Sequence, residues 1–176
     1  MAERPPEPDA DPEAVARRIC LAQLEHAPRT CAELRATLLK REVPEEVADR
    51  VLARFSEVGL VDDVLFAQLW VSSRHRGRGL AGRALSQELR RKGVDEQVLR
   101  AAVDELDPEQ ELATARALVA RRLHTSRGLE PQARVRRLAG MLARKGYPAG
   151  VAFRVVREAL DAEGLDPELV PDDLDG

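Results

Sequence analysis

The sequence predicts an all-α fold: three tandem three-helix repeats stacked as an elongated, curved solenoid. Three observations predict it. First, apolar positions recur with shifts of 51 and then 53 residues. Leu34, Leu85 and Leu138 align, as do Leu38, Leu89 and Leu142; Val43, Val94 and Tyr147; Val47, Val98 and Val151; and Leu52, Val103 and Val156. Run backward, the shifts align Val15 with Phe66 and Val119, and Ile19 with Trp70 and Leu123. Second, Leu, Ala, Val, Arg and Glu dominate while aromatics are 3%, which favours helix over sheet. Third, no segment alternates apolar and polar residues convincingly at period two, so no sheet is expected.

Taken in order, residues 1–10 form an acidic, Pro-rich tail with little to bury, expected to be disordered. Asp11-Pro12 sets an N-cap before a proline at N1 and opens a helix over 12–26. Thr30 and Glu33 make a capping box for 31–41, and Pro44 starts 44–57, completing repeat one over 11–60. Gly59 suits the residue just past that helix, and Asp62 or Asp63 caps the next, 63–76. Phe66, Leu69, Trp70 and Ser73 share one face of it. A glycine-punctuated turn, Gly77–Gly82, leads to 82–92, with Leu85 and Leu89 inward and Gly93 ending it. Asp95 starts 95–106 and closes repeat two over 61–107.

Asp107-Pro108 repeats the opening signal for 108–124, and Gln110 extends it toward a capping box. Helices over 131–145 and, from Pro148, 148–163 finish repeat three over 108–164. An acidic tail covers 165–176. Glu42 stands where the other repeats have Gly93 and Gly146, so the turn after the second helix is expected to differ in repeat one. Each repeat holds few apolar residues, and stacking buries the faces left over.

Several function classes drop out. No run of about 18 apolar residues exists, so no membrane span is expected. The opening MAERPPEPDADPE is the opposite of a secretory signal, and a cytoplasmic location is expected. Cys20 and Cys31 are too few for a disulfide framework and read as small buried residues in a reducing compartment. His26, His75 and His124 occupy non-equivalent repeat positions without partners at ligand spacing, so no metal is expected. There is no P-loop, and no catalytic arrangement can be argued from residue order. Asp62-Asp63 is better explained as a helix cap than as a carboxylate pair, because apolar periodicity begins directly after it. A non-enzymatic protein with no cofactor is expected.

The segment Gly77-Arg78-Gly79-Leu80-Ala81-Gly82 matches G-x-G-x-x-G, but an amphipathic helix precedes it where a dinucleotide site needs a strand. Two readings stay open for it. It is a structural turn, or a loop whose backbone N–H groups, with Arg78, approach a phosphate closely.

Charge is informative through its distribution. Net charge is −3, yet seven Arg or Lys face one acid, Glu88, between Arg74 and Lys92. Nine face one, Glu130, between Arg116 and Lys145. Residues 95–111 swing back, with seven acids against Arg100. Such segregation presents basic faces to something anionic. Of 25 arginines and three lysines, the lysines Lys40, Lys92 and Lys145 all end the middle helix of a repeat. Complementing the helix dipole explains that recurrence, at about 0.3–1 kcal/mol each. It does not explain the surrounding arginines. The candidate phosphate-binding set is Arg74, Arg76, Arg78, Arg83, Arg90, Arg91 and Lys92, supported by Arg134, Arg136, Arg137, Arg144 and Lys145. Phe66, Trp70, Leu85 and Leu89 are expected to be core that positions them. With few aromatics to stack bases, any DNA contact should be backbone-directed and salt-sensitive.

Gly59, Asp62-Asp63, Phe66-Ala67, Trp70, Arg74, Gly79, Leu89 and Lys92-Gly93-Val94 carry a resemblance to the RecX family, bacterial regulators of the RecA recombinase. The resemblance implies tandem three-helix repeats. It also implies binding in the groove of the helical RecA–DNA filament, with suppression of ATP hydrolysis, strand exchange and co-protease activity. RecA filaments and single- and double-stranded DNA are the partners so implied, and the protein itself is expected to be a monomer. The family motif singles out no contact residues, so the set above rests on charge. The alternatives are a helical-repeat DNA-binding module acting without a recombinase, and a scaffold for some other protein.

Overall fold

The computed structural model describes residues 11–165, so the readings of both acidic tails fall outside it, except at Leu165. Leu165, placed in the tail above, packs against the third core. Nine α-helices account for most of the described residues, and none of these residues is in a strand. They are α1 Pro12–His26, α2 Cys31–Lys40, α3 Glu45–Glu57, α4 Asp63–Arg78, α5 Gly82–Arg91, α6 Glu96–Asp104, α7 Pro108–Leu123, α8 Pro131–Arg144 and α9 Ala149–Ala162.

The starts follow the capping chemistry. Asp11, Asp62, Asp95 and Asp107 each accept a first-turn N–H, and Thr30 and Glu33 close both bonds of the capping box. Helix α4 runs two residues past its predicted end because Gly79, at φ 65°, is its terminator and donates its N–H to His75 O at 2.8 Å. Its buried face is Phe66, Ala67, Val71 and His75. Leu69 is 57% exposed and Ser73 is exposed, which corrects the face predicted above. The apolar arc is displaced by about one residue around the helix, because Ala67 and His75 face inward and Leu69 does not.

Helices α1–α3, α4–α6 and α7–α9 pack as three units. Each has its own core, anchored by Leu34 and Leu38, by Leu85 and Leu89, and by Leu138 and Leu142, all essentially without solvent contact. A leucine buried this fully contributes about 2 kcal/mol.

The units meet end to end along their middle helices. At the first junction the carbonyl of Lys92, closing α5, accepts from the Thr30 hydroxyl that caps α2, at 2.6 Å. At the second, the carbonyl of Lys145, closing α8, accepts from the N–H of Ala81 that caps α5, at 2.8 Å. The following unit also lends a carboxylate. Asp63 accepts the N–H of Cys31 and Glu111 accepts that of Gly82, both at 2.9 Å. Helices α8, α5 and α2 therefore align their dipoles head to tail.

Two glycines permit this approach. A Cβ on Gly93 would stand 2.3 Å from Ala32 Cβ, and one on Gly146 would stand 2.4 Å from Ala84 N. Both hold positive φ, 74° and 93°. Glu42 in unit one also holds positive φ, 61°, and makes the same pair of bonds: its N–H to Leu39 O, and that of Val43 to Leu38 O. The turn is thus the same in all three units, against the expectation that unit one differs. Glu42 is tolerated because it is exposed, its side chain meeting no other unit among the described residues.

Candidate nucleic-acid interface

The arginine-rich set does not form one patch. Arg74 lies 4.2 Å above the Trp70 ring and 3.7 Å from Glu88. Glu88 also accepts from Trp70 Nε1 at 2.8 Å and lies 3.6 Å from Arg78. Arg90 is held by both oxygens of Glu96, at 2.9 and 2.7 Å. Arg90 and then Arg100 hold that carboxyl well below its usual range, at about 2. Lys92 is half-buried, donates to Glu33 at 2.7 Å and lies 4.5 Å over Trp70, clamping unit two to unit one. Trp70 is therefore a half-buried platform covered by cations and stacked on Phe66 at 5.6 Å, not the core residue expected.

Arg134 is a second correction. It is 4% exposed, and its guanidinium donates to Ser126 Oγ at 2.8 Å, to Leu123 O at 2.9 Å and to Glu163. It fastens the end of α7 to α9 and offers nothing to a ligand. Arg134, then Arg127, keep Glu163 below the ordinary carboxylate range.

For the glycine-rich turn the structure favours the structural reading of the two left open. Gly77 and Arg78 belong to α4, and Gly79 and Ala81 are buried. Gly79 O accepts from Tyr147 Oη at 3.1 Å, and Arg78 O from Lys145 Nζ at 2.7 Å. Burial, with Glu111 nearby, pushes the Tyr147 hydroxyl up to about 12, so it stays a donor. With Ala81 N–H on Lys145 O and Gly82 N–H on Glu111, the turn is a socket for unit three. The N–H groups of Gly79, Ala81 and Gly82 are committed within the protein and not presented to a phosphate.

Across this same junction the structure gathers a different set. A cleft of about 500 Å³ between the end of α4 and α7 is lined by Arg76, Arg78, Arg121 and Lys145. It shares Leu118, Arg121 and Lys145 with a groove of about 340 Å³ between α7 and α8, where Arg122, Arg137 and Arg144 join. Together they make one trough lined by seven cations and no carboxylate. Arg121, Arg122, Arg137 and Arg144 make no ion pair among the described residues. Arg76 bonds only Ser72, in its own helix. Such a surface attracts polyanions and offers planar donors to phosphate oxygens.

Five residues of the expected set line this trough: Arg76, Arg78, Arg137, Arg144 and Lys145. Arg83 and Arg91 are exposed but line neither cleft, and Arg136 lies on the other flank of α8. Arg121 and Arg122 were missed. They lie in the last turn of α7, where a basic pair reads as a complement to the helix dipole; their run with Arg137 and Arg144 between acids was the available signal.

Comparison with known proteins accounts for the architecture. Residues 16–55, 62–103 and 109–156 match the models of the first, second and third three-helix domains of RecX. The chain is 60% identical over 165 residues to the regulatory protein RecX of Thermobifida fusca (strain YX), covering 92% of this chain and 89% of that one. It is 58% identical over 167 residues to that of Streptomyces coelicolor, covering 95% and 89%. The crystal structure of RecX from Lactobacillus salivarius superposes with a TM-score of 0.80 over 88% of this chain and 99% of that one, at 16% identity. A further RecX crystal structure gives 0.75 over 85% and 73%, at 23% identity. With all three domain types in order along one chain and relatives of this identity, the protein belongs to the RecX family of regulatory proteins.

Proposed function

We propose that the protein binds the RecA recombinase filament assembled on DNA and restrains its ATP hydrolysis, strand exchange and co-protease activity. The row of units lies along the filament groove, and the trough between units two and three meets the phosphate backbone. The observation that carries this reading is the trough itself: seven cations without a carboxylate, in a protein of net charge −3 that belongs to a regulator family.

Arg76, Arg78, Arg121, Arg122, Arg137 and Arg144 supply the contacts, and Lys145 holds the end of α4 that bears Arg78. Guanidinium forks recognise phosphate oxygens and carry no base code, so single- and double-stranded DNA are both bound, with little sequence preference. The starts of α2 and α5 are covered at the junctions, which argues against base reading by a helix tip in units one and two. Restraint is steric: a rod in the groove blocks an incoming duplex or a repressor and bridges neighbouring protomers. No covalent step or cofactor enters, and the working form is a cytoplasmic monomer.

The test is ATP turnover by RecA filaments on single-stranded DNA, with and without this protein, at two salt concentrations. Turnover should fall with added protein at 50 mM salt. Four phosphate contacts would weaken DNA affinity about 50-fold between 50 and 200 mM. Undiminished turnover at saturating protein in low salt would remove the reading. DNA binding without that effect would favour a module acting without a recombinase.

A further inference from the structure

The repeat allows the face between the second and third helices to be compared in each unit. In unit one it carries Arg35, bonded to Asp49 at 2.7 Å and paired with Glu45. In unit two it carries Arg90 on Glu96, with Arg100 on the same carboxylate at 3.1 Å. In unit three Ala143 stands in the place of Arg90, Ala149 in that of Glu45 and Glu96, and Phe153 in that of Asp49 and Arg100. No ion pair takes over at these positions among the described residues. What results is a shallow hollow of about 250 Å³, walled by Ala139, Gly140, Ala143, Ala149 and Ala152, with Phe153 against it. Arg136 lines its edge, exposed and without an ion pair among the described residues.

The fold does not require this change. The leucines beneath, Leu138 and Leu142, are buried like their equivalents in the other units. The hollow also lies on the opposite flank of the helix that borders the trough. Arg137, Met141 and Arg144 line the trough, while Arg136, Ala139, Gly140 and Ala143 line the hollow. A body that seats an anionic part in the trough and extends across α8 would come against the hollow. A hollow with room for one side chain cannot hold a partner alone, so its occupant belongs to the same body as the trough's ligand.

We propose that the hollow seats one large aliphatic or aromatic side chain, next to a carboxylate that meets Arg136, on a recombinase subunit of the filament whose DNA occupies the trough. This rests on the filament reading above. The trough then supplies salt-sensitive affinity for the nucleic acid, and the hollow supplies selectivity for DNA coated by that protein over bare DNA.

Ala143→Arg combined with Ala149→Glu rebuilds in unit three the Arg90–Glu96 pair of unit two, filling the hollow with a pairing this backbone already carries. Ala149→Glu alone, the residue both other units have there, is the second variant. Binding is measured to a single-stranded oligonucleotide and to ATP-bound RecA filaments on the same oligonucleotide, with circular dichroism confirming helicity. The double variant should keep bare-DNA affinity within about twofold and lose at least about tenfold on filaments, with the single variant losing about fivefold. Unchanged filament affinity in a folded variant overturns the proposal, as does an equal loss on bare DNA. If deleting residues 166–176 raises filament affinity in the parent but not in the double variant, the chain's own end occupies the hollow and the proposal is wrong. If the unaltered protein binds filaments no better than bare DNA, the filament reading fails first and this inference with it.

Discussion

Arg134 and Arg137 sit three residues apart on α8 and do opposite work. Arg134 is enclosed by Ser126, Leu123 and Glu163, and Arg137 opens into the trough. Arg134→Met leaves Glu163 without its closest cation and should cost about 3 kcal/mol of stability, with DNA affinity little changed. Arg137→Glu should leave the melting temperature unchanged and lower DNA affinity about tenfold. Denaturant titration and DNA binding on both proteins check the pair. Glu163 adds a pH signature. Its folded pKa is lowered, so its contribution is present above the unfolded value of about 4.5 and is lost as pH falls through the folded one. The deficit of Glu163→Gln against the parent, measured by denaturation between pH 7 and pH 3, should therefore shrink below about pH 4.5. Sequence marked this region as basic but could not divide it. Whether an arginine is neutralised depends on an acid such as Glu163 or Glu96 that only folding brings near.

At the scale of elements, local chemistry was readable and contacts between units were not. Every helix end lies within two residues of its predicted place, since caps and terminators act over three or four residues. The junctions join Thr30 to Lys92 and Ala81 to Lys145, pairs more than 60 residues apart that no local pattern announces. The same limit explains the misjudged turn at Glu42, where apolar neighbours and the backbone bonds of the turn override a residue poorly suited to positive φ. Glu42→Gly removes that strain and should stabilise the protein by about 1 kcal/mol, read from its denaturation midpoint.

The molecule as a whole is three small cores in series, each coupled to the next through a narrow contact. Cooperativity then rests on the hydrogen bonds across two junctions and on the absence of two methyl groups. Gly146→Ala places a methyl group against Ala84 at positive φ and should cost about 3 kcal/mol, enough to detach unit three from the rest. Thermal unfolding should then split into two transitions, with the fluorescence of Trp70, the single tryptophan, following the one that contains unit two. The close approach at Gly93 and Gly146 also sets what each internal joint accepts, a residue at positive φ with no Cβ. A middle helix docked on the end of α2 in the same way would meet the side chain of Glu42, where the internal joints allow hydrogen alone. The joint that links the three units is thus closed to a further copy at Glu42, by one side chain in a strained turn.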